Sequence, residues 1–515
     1  MSVAVIYGSA MGNTEGAANS IAEKLGISDV LNVADIDAAK INSYDKLIVG
    51  TSTWGSGDLQ DDWDAFDFGA LKLHGKTVAI FGMGDSESYS DTFCGAMGKL
   101  ASKLKEAGAN IVGSVSTEGY SFESSEAVSN NEFVGLALDN DNQEDQTEAR
   151  IDAWVAKIKP QYDRVVLLIL ESMHRDYINY YNHDIPEEAT PFLNSLVIRY
   201  PHMNRYYSSA VPTTQGLNAT FRSHLIMDKD LPGKNTPSLF RSVQAAGMRG
   251  IFMNASSQYY ANELREYPTQ FGMNEYYAKE YLEKQGYTGA SGWGFHNDVM
   301  YEETLKLLEK AKTKNDRLVM VTKTLDMHQP YPYTGFSWNE MPDNVRSNQF
   351  ITVRGVYWVD KTLEHFFKEA QKRGLMDDRT LFIITSDHNP HSGGEYTKLV
   401  TKADDKQSIA PIPLIFVSKN LAPLNNLRTN EYASQIDLAP TLLYLLGIDV
   451  PEKFMGRNLL QHTDIPYALG YFGGKAFYWS DERHFVDQMD KPVPDTEYED
   501  ALTNYIIHYY GLWHQ

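Results

Sequence analysis

The chain has 515 residues, 42% of them hydrophobic and 12% aromatic, with a net charge of −22. That length exceeds one ordinary core and predicts a small and a large unit, placed at residues 1–160 and 161–515. Residues 1–160 carry 25 acidic and 11 basic side chains, so most of the acidity lies there; such a surface repels nucleic acid and favours basic protein partners. With Cys94 as the single cysteine, a disulfide framework and a cysteine-based metal site within the chain are excluded. No run of 18 apolar residues and no charged leader is visible, so a soluble, cytoplasmic chain without a transmembrane segment is expected.

In chain order, a strand over Val3–Tyr7 leads to a helix from about Gly16, followed by strands at Leu47–Gly50 and Thr77–Gly82. A helix near 93–107 and a strand near 111–115 complete a βαβ rhythm, which predicts a five-stranded, doubly wound parallel sheet with its ligand at strand C-termini. The first strand-to-helix loop, Ser9-Ala10-Met11-Gly12-Asn13-Thr14, offers hydroxyls and backbone N–H groups to an anion at a helix N-terminus. It lacks a Walker-type lysine, which argues against nucleoside triphosphate hydrolysis. Two further loops, Thr51-Ser52-Thr53-Trp54-Gly55 and one running from Gly84 and Asp85 to Tyr89, each place an aromatic where a flat ring could stack. A phosphate cradle with two aromatic faces describes a flavin mononucleotide (FMN) site. Cys94 is expected to be a buried small hydrophobe.

These residues resemble flavodoxin across essentially all of 1–160. The resemblance implies FMN, flanked by Trp54 and Tyr89, one-electron transfer and docking on basic redox proteins. The stretch from about 118 to 140 looks like the extra loop of the long-chain subgroup, interrupting the last strand.

A helix near 148–158 runs through Lys159-Pro160-Gln161 into the apolar run Arg164–Leu170, without the Gly/Ser-rich tether of swinging modules. Arg164–Leu170 reads as a strand buried on both faces and ends in Glu171; Leu381–Ser386 repeats the pattern and ends in Asp387-His388. Carboxylates and an imidazole at strand C-termini suit Mn²⁺, Zn²⁺ or Mg²⁺, with a fourth ligand needed. The segment 211–221 reads as a loop entering a helix, and Thr214 is the favoured ligand and nucleophile with Thr213 as runner-up. Either threonine could instead merely cap the helix.

Taken together, these residues resemble the sulfatase-like branch of the alkaline phosphatase superfamily, and within it lipoteichoic acid synthase and related phosphoglycerol transferases, over about 164–460. The resemblance implies a larger α/β sandwich, a metal set of Glu171, Thr214, Asp387 and His388, Mn²⁺ foremost, and His328 as a catalytic, phosphate-binding histidine. Trp293, in Trp293-Gly294-Phe295-His296, and His391 would border the substrate. It further implies a lipid head-group phosphodiester such as phosphatidylglycerol as substrate, and an extracytoplasmic, membrane-facing site. The C/S-x-P-x-R context of formylglycine sulfatases is missing, as are Gly-x-Ser-x-Gly and His-Glu-x-x-His motifs, which disfavours sulfate ester hydrolysis, serine hydrolysis and zinc proteolysis. The expected function is therefore phosphoglycerol or phosphoethanolamine transfer through a phosphothreonine, joined to an electron carrier in a natural or engineered fusion. The alternatives are a phosphoester hydrolase of the same family, and an electron carrier whose large domain is not catalytic.

Overall fold

The computed structural model describes residues 2–159, 161–225, 236–259, 263–328, 340–391, 394–400, 409–461, 463, 466–472, 475–481 and 484–488. The chain divides into two compact units, one of Met1–Gln161 with the short stretches Ala245–Gly247 and Leu446–Asp449, the other holding the remainder.

In the first unit, β1 (Val3–Tyr7), α1 (Asn13–Leu25), β2 (Asp29–Asn32), β3 (Lys46–Trp54), β4 (Thr77–Met83) and α2 (Gly95–Glu106) are followed by β5 (Asn110–Val112), β6 (Leu136–Leu138) and α3 (Glu144–Ile158). Strands β1 to β4 lie in the order β4-β3-β1-β2, all parallel. Alternate strand residues feed opposite faces, as the two-residue period of a strand requires: Ala4, Ile6, Val49 and Ile80 pack with α2, while Val5, Tyr7, Ile48 and Phe81 pack with α1 and α3. The fifth strand is split. β5 pairs with Thr77–Ala79 and β6 with Phe81–Met83, so two segments far apart in sequence occupy one edge of β4 in succession. The predicted strand near 111–115 is thus only its first half, because the chain leaves the edge after Val112 and re-enters at Leu136. Cys94 is fully buried and sits before α2 in a left-handed conformation.

The second unit contains β7 (Arg164–Leu170), α4 (Pro191–Arg199), α5 (Thr213–Arg222), β8 (Arg249–Asn254), β9 (Glu275–Tyr277), α6 (Asn297–Thr313), β10 (Leu318–Lys323), α7 (Ile351–Lys372), β11 (Thr380–Ser386), β12 (Leu414–Val417) and α8 (Leu438–Leu445). Its main sheet runs β9-β8-β10-β7-β11-β12, parallel except for β12 at one edge. β7, β10 and β11 are buried along their whole length, which explains their continuous apolar runs. Register is fixed by pairing: Ile169 lies opposite both Lys323 and Thr385, so three neighbouring strands end together at Glu171, Lys323 and Asp387.

One buried carboxylate has a structural duty. The α4 helix starts at Pro191 with no side-chain cap from Thr190; Asp360 of α7, fully buried, accepts the backbone N–H groups of Phe192 (3.2 Å) and Leu193 (2.7 Å) instead. Burial pushes its carboxyl up to about 7, only partly offset by those N–H groups and by Lys361, whose Nζ is 3.8 Å away, with Glu364 adding to the rise. A carboxyl whose folded value is raised holds a proton that the unfolded chain has already lost, so its contribution to stability is full below about pH 4 and declines as pH rises towards 7. The limiting slope is about 1.4 kcal/mol per pH unit. Hydrogen exchange of the Phe192 and Leu193 amides is expected to show this decline in the wild type and a flatter profile in Asp360→Asn; equal slopes would refute it.

Candidate functional site

The first unit forms its site from three strand-to-helix loops. Gly12, at φ +92°, turns the chain into α1 and donates its N–H to Ser9 Oγ (3.1 Å), and no side chain caps the helix. The N-terminal amides of α1 therefore stay available to an anion. A cavity above this turn is lined by Ser9, Ala10, Met11, Asn13, Thr14, Ser52, Thr53, Trp54, Gly84, Asp85 and Tyr89. Trp54 and Tyr89, 40% and 51% exposed, are its two exposed aromatic lining residues, and Trp54 Nε1 donates to Ser52 Oγ (3.0 Å). The predicted Gly12, Thr51 and Gly55 are not among the lining residues: Gly12 serves the turn, Thr51 is buried, and Gly55 has a left-handed backbone beyond Trp54. Asn140, Asp141 and Thr92 also line the cavity. Asn140 and Asp141 come from a segment distant in sequence, which a loop-by-loop reading does not bring in, whereas Thr92 lies just beyond Tyr89. Asp85 accepts the N–H groups of Ser88 (2.7 Å) and Glu87 (3.0 Å) and the Asn142 amide (2.9 Å). Burial works against its charge, but these donors outweigh it and hold its carboxyl below the usual range. Open amides beside two aromatic faces fit a phosphorylated planar ring.

In the second unit, Glu171, Asp387 and His388 offer ligand atoms within 4.8 Å of one another, all buried. Their surroundings orient them. Ser172, at φ +49°, donates its N–H to Asp387 Oδ1 (2.9 Å) and its hydroxyl to Glu171 Oε1 (2.8 Å). The His388 N–H also reaches Asp387 Oδ1 (2.9 Å), and Gln435 Nε2 donates to the Asp387 carbonyl (2.6 Å). Asp387 Oδ2, although buried, has no hydrogen bond. It faces His388 Nε2 and Lys323 Nζ, each at 3.7 Å. An orphaned carboxylate oxygen beside an imidazole and a second carboxylate fits a divalent cation. Burial lowers the His388 imidazole, but Asp387 and Glu171 outweigh it and raise it to about 9.

Sequence reasoning missed Lys323. Its side chain is 5% exposed and its Nζ contacts Glu171 Oε2 closely. Burial opposes its charge, and Glu171 and then Asp387 overcome that and raise it above the ordinary lysine value. The available signal was an ionisable residue closing the otherwise apolar β10.

The two threonines separate. Pro212 is the N-cap of α5, so neither threonine occupies the capping position. Thr213 Oγ1 lies 3.2 Å from His388 Nε2, while Thr214 Oγ1 lies 3.0 Å from the hydroxyl of buried Tyr267. Of the two candidates, Thr213, the runner-up, is the one whose hydroxyl contacts the ligand His388. Of the predicted substrate residues, Trp293 and His328 meet with ring centroids 4.6 Å apart, and His391 lies 5.6 Å from His388. The His391 imidazole is lowered, by partial loss of solvent around the ring and by nearby His388. Next to Trp293 and His328, a further pair escaped the sequence reading: His296 Nδ1 contacts Asp326 (2.7 Å), whose other oxygen accepts the Asn297 N–H (2.9 Å) and Trp358 Nε1. Asp326 outweighs burial and raises His296.

The chain therefore joins a small doubly wound unit with an anion-and-ring pocket to a larger α/β unit whose strand ends gather a metal-ligand set and a hydroxyl. It belongs to the sulfatase family, whose profile matches residues 163–448, and its N-terminal part is a flavodoxin domain, whose profile matches residues 5–154. The flavodoxin of Synechococcus elongatus is 44% identical over 165 residues, covering 31% of this chain and 97% of that protein. Flavodoxin 1 of Escherichia coli is 39% identical over 162 residues, covering 30% and 92%. Among solved structures, a member of the alkaline phosphatase superfamily from Vibrio parahaemolyticus has a TM-score of 0.54 at 19% identity, covering 68% of this chain and 88% of that one. The lipoteichoic acid synthase LtaP of Listeria monocytogenes has 0.53 at 16%, covering 70% and 93%. These two share the fold of the larger unit. No helix among the described residues is long and apolar enough to cross a membrane.

Proposed function

We propose that the larger unit is a metal-dependent phosphotransferase that acts on the phosphodiester of a lipid head group such as phosphatidylglycerol, through a covalent phosphothreonine. The single observation that carries this reading is the Thr213 hydroxyl lying 3.2 Å from His388 within the Glu171, Asp387 and His388 set. A divalent ion of the Mn²⁺ type held by those three residues supplies charge neutralisation and a lowered hydroxyl pKa. Thr213 Oγ forms a bond to phosphorus as the bond to the lipid alcohol breaks. The threonine proton passes to solvent, and His328 returns one to the departing alcohol. An acceptor hydroxyl, or water, then attacks the phosphothreonine and restores the Thr213 hydroxyl. Trp293, tilted against His328, gives the head group an aromatic wall. That the same fold carries a lipoteichoic acid synthase agrees with phosphoglycerol transfer. Phosphoethanolamine transfer is separated from it by the mass left on the protein, and phosphodiester hydrolysis by release of free glycerophosphate instead of its transfer to an acceptor alcohol. Incubation with phosphatidylglycerol and Mn²⁺ is expected to add a glycerophosphate mass to the intact chain; release of diacylglycerol without any adduct under quenching would count against the covalent route.

For the first unit we propose FMN binding and one-electron transfer to basic redox proteins, supported by flavodoxin membership and the two-walled cavity. Aromatic contacts of this kind contribute about 1 kcal/mol or more each. Trp54→Ala and Tyr89→Ala are each expected to weaken FMN binding several-fold, read from recovery of flavin fluorescence on dilution. Unchanged affinity in both would remove the stacking role.

A further inference from the structure

Within the metal-centre reading proposed above, we infer that Lys323 is a built-in counter-ion: its ammonium neutralises Glu171 and Asp387 and competes with the divalent cation for these two carboxylates.

The inference begins from backbone register. Lys323 is the last residue of β10 and pairs with Ile169 of β7, two residues before Glu171; Ile169 also pairs with Thr385 of β11, two residues before Asp387. Three adjacent parallel strands thus deliver one cation and two anions to the same point. Glu171 and Asp387 are 2% and 0% exposed and Lys323 is 5% exposed, so solvent screens none of them effectively. The two oxygens of each carboxylate have different partners, and Glu171 Oε1 also lies 3.5 Å from His388 Nε2. Glu171 Oε1 takes the Ser172 hydroxyl and Asp387 Oδ1 takes two backbone N–H groups. The remaining Glu171 Oε2 carries Lys323 Nζ, and Asp387 Oδ2 lies 3.7 Å from it. Asp387 Oδ2 lies 3.7 Å from both His388 Nε2 and Lys323 Nζ, so an ion held by the ligand set and the ammonium would share it. An ammonium that close to a divalent ion repels it, while in the ion's absence it supplies the charge that two buried carboxylates require.

Two consequences have opposite signs in one variant. Lys323→Met, similar in length but uncharged, is expected to bind Mn²⁺ about tenfold or more tightly than the wild type. It is also expected to melt at a lower temperature without metal, because the carboxylates lose their partner. Lys323→Gln should shift affinity in the same direction. Ser172→Ala removes a hydrogen bond from Glu171 without removing a charge, and should not tighten binding. The experiment is titration of the full-length chain with Mn²⁺ alone by calorimetry, beside thermal melts with and without the ion, with Asp387→Asn to locate the site. A variant at position 323 that folds only when Mn²⁺ is present also supports the inference. If Asp387→Asn abolishes binding while both Lys323 variants bind no more tightly than the wild type, the counter-ion role is overturned and the metal centre stands. If Asp387→Asn binds Mn²⁺ as the wild type does, or neither form binds it, both readings fall.

Discussion

Thr213→Ala is expected to lose the glycerophosphate adduct and at least about a thousandfold in head-group release from phosphatidylglycerol, since nothing else among the described residues offers a hydroxyl to His388. Thr214→Ala is expected to keep the adduct. Its hydroxyl meets Tyr267, so its loss should act through the seating of α5 and change rate modestly. Intact mass spectrometry of both variants after incubation with substrate and Mn²⁺ separates the two. An adduct retained by Thr213→Ala and lost by Thr214→Ala would assign the nucleophile to the second threonine. The control for folding is metal content, because the three side-chain ligands remain in both variants.

The second large effect is expected at Gly216, one turn into α5. A Cβ there would lie 1.9 Å from the carbonyl oxygen of Asp387 and 2.9 Å from its carbonyl carbon. Both are backbone atoms, so no rotamer change relieves the clash, and either the helix or the Asp387-His388 turn has to move. Overpacking of this kind costs about 1–3 kcal/mol or more. A displacement of about 1 Å at reacting groups costs on the order of a hundredfold in rate. Gly216→Ala should therefore melt at a lower temperature and bind Mn²⁺ less tightly, with turnover falling further than either change alone accounts for. A variant with wild-type melting and wild-type metal affinity would mean that the close approach of α5 to β11 is not needed.

The buried strands were legible because burial on both faces leaves an apolar run that ends abruptly where the chain emerges, at Glu171 and at Asp387-His388. The interrupted last strand of the flavodoxin domain was legible only through the resemblance to the long-chain subgroup, and pairing of β5 and β6 along one edge of β4 accounts for it. Which threonine faces the ligands was not legible, since neighbouring helical residues point about 100° apart and the sequence does not give the helix its rotation. Lys323, Ser172, Gly216 and Gln435 escaped for another reason. Each acts on Glu171 or Asp387 from another segment or through a backbone group, and beyond the lysine that closes β10 the side-chain pattern along the chain carries no record of such approach. The Asp326 and His296 pair lies 30 residues apart and fails in the same way.

The shared end point of β7, β10 and β11 has a consequence for how this unit assembles. A slip of a single residue between parallel neighbours turns every side chain of a strand to the opposite face. With Ile169 paired to both Lys323 and Thr385, such a slip would scatter the charges that meet at the strand ends while leaving an apolar sheet of nearly equal burial. A folding error of this sort would be almost invisible to a measurement of compactness or secondary structure, yet would leave no centre at all. The charged cluster is thus a proofreading mark for the sheet: only the chain with all three strands in step acquires it.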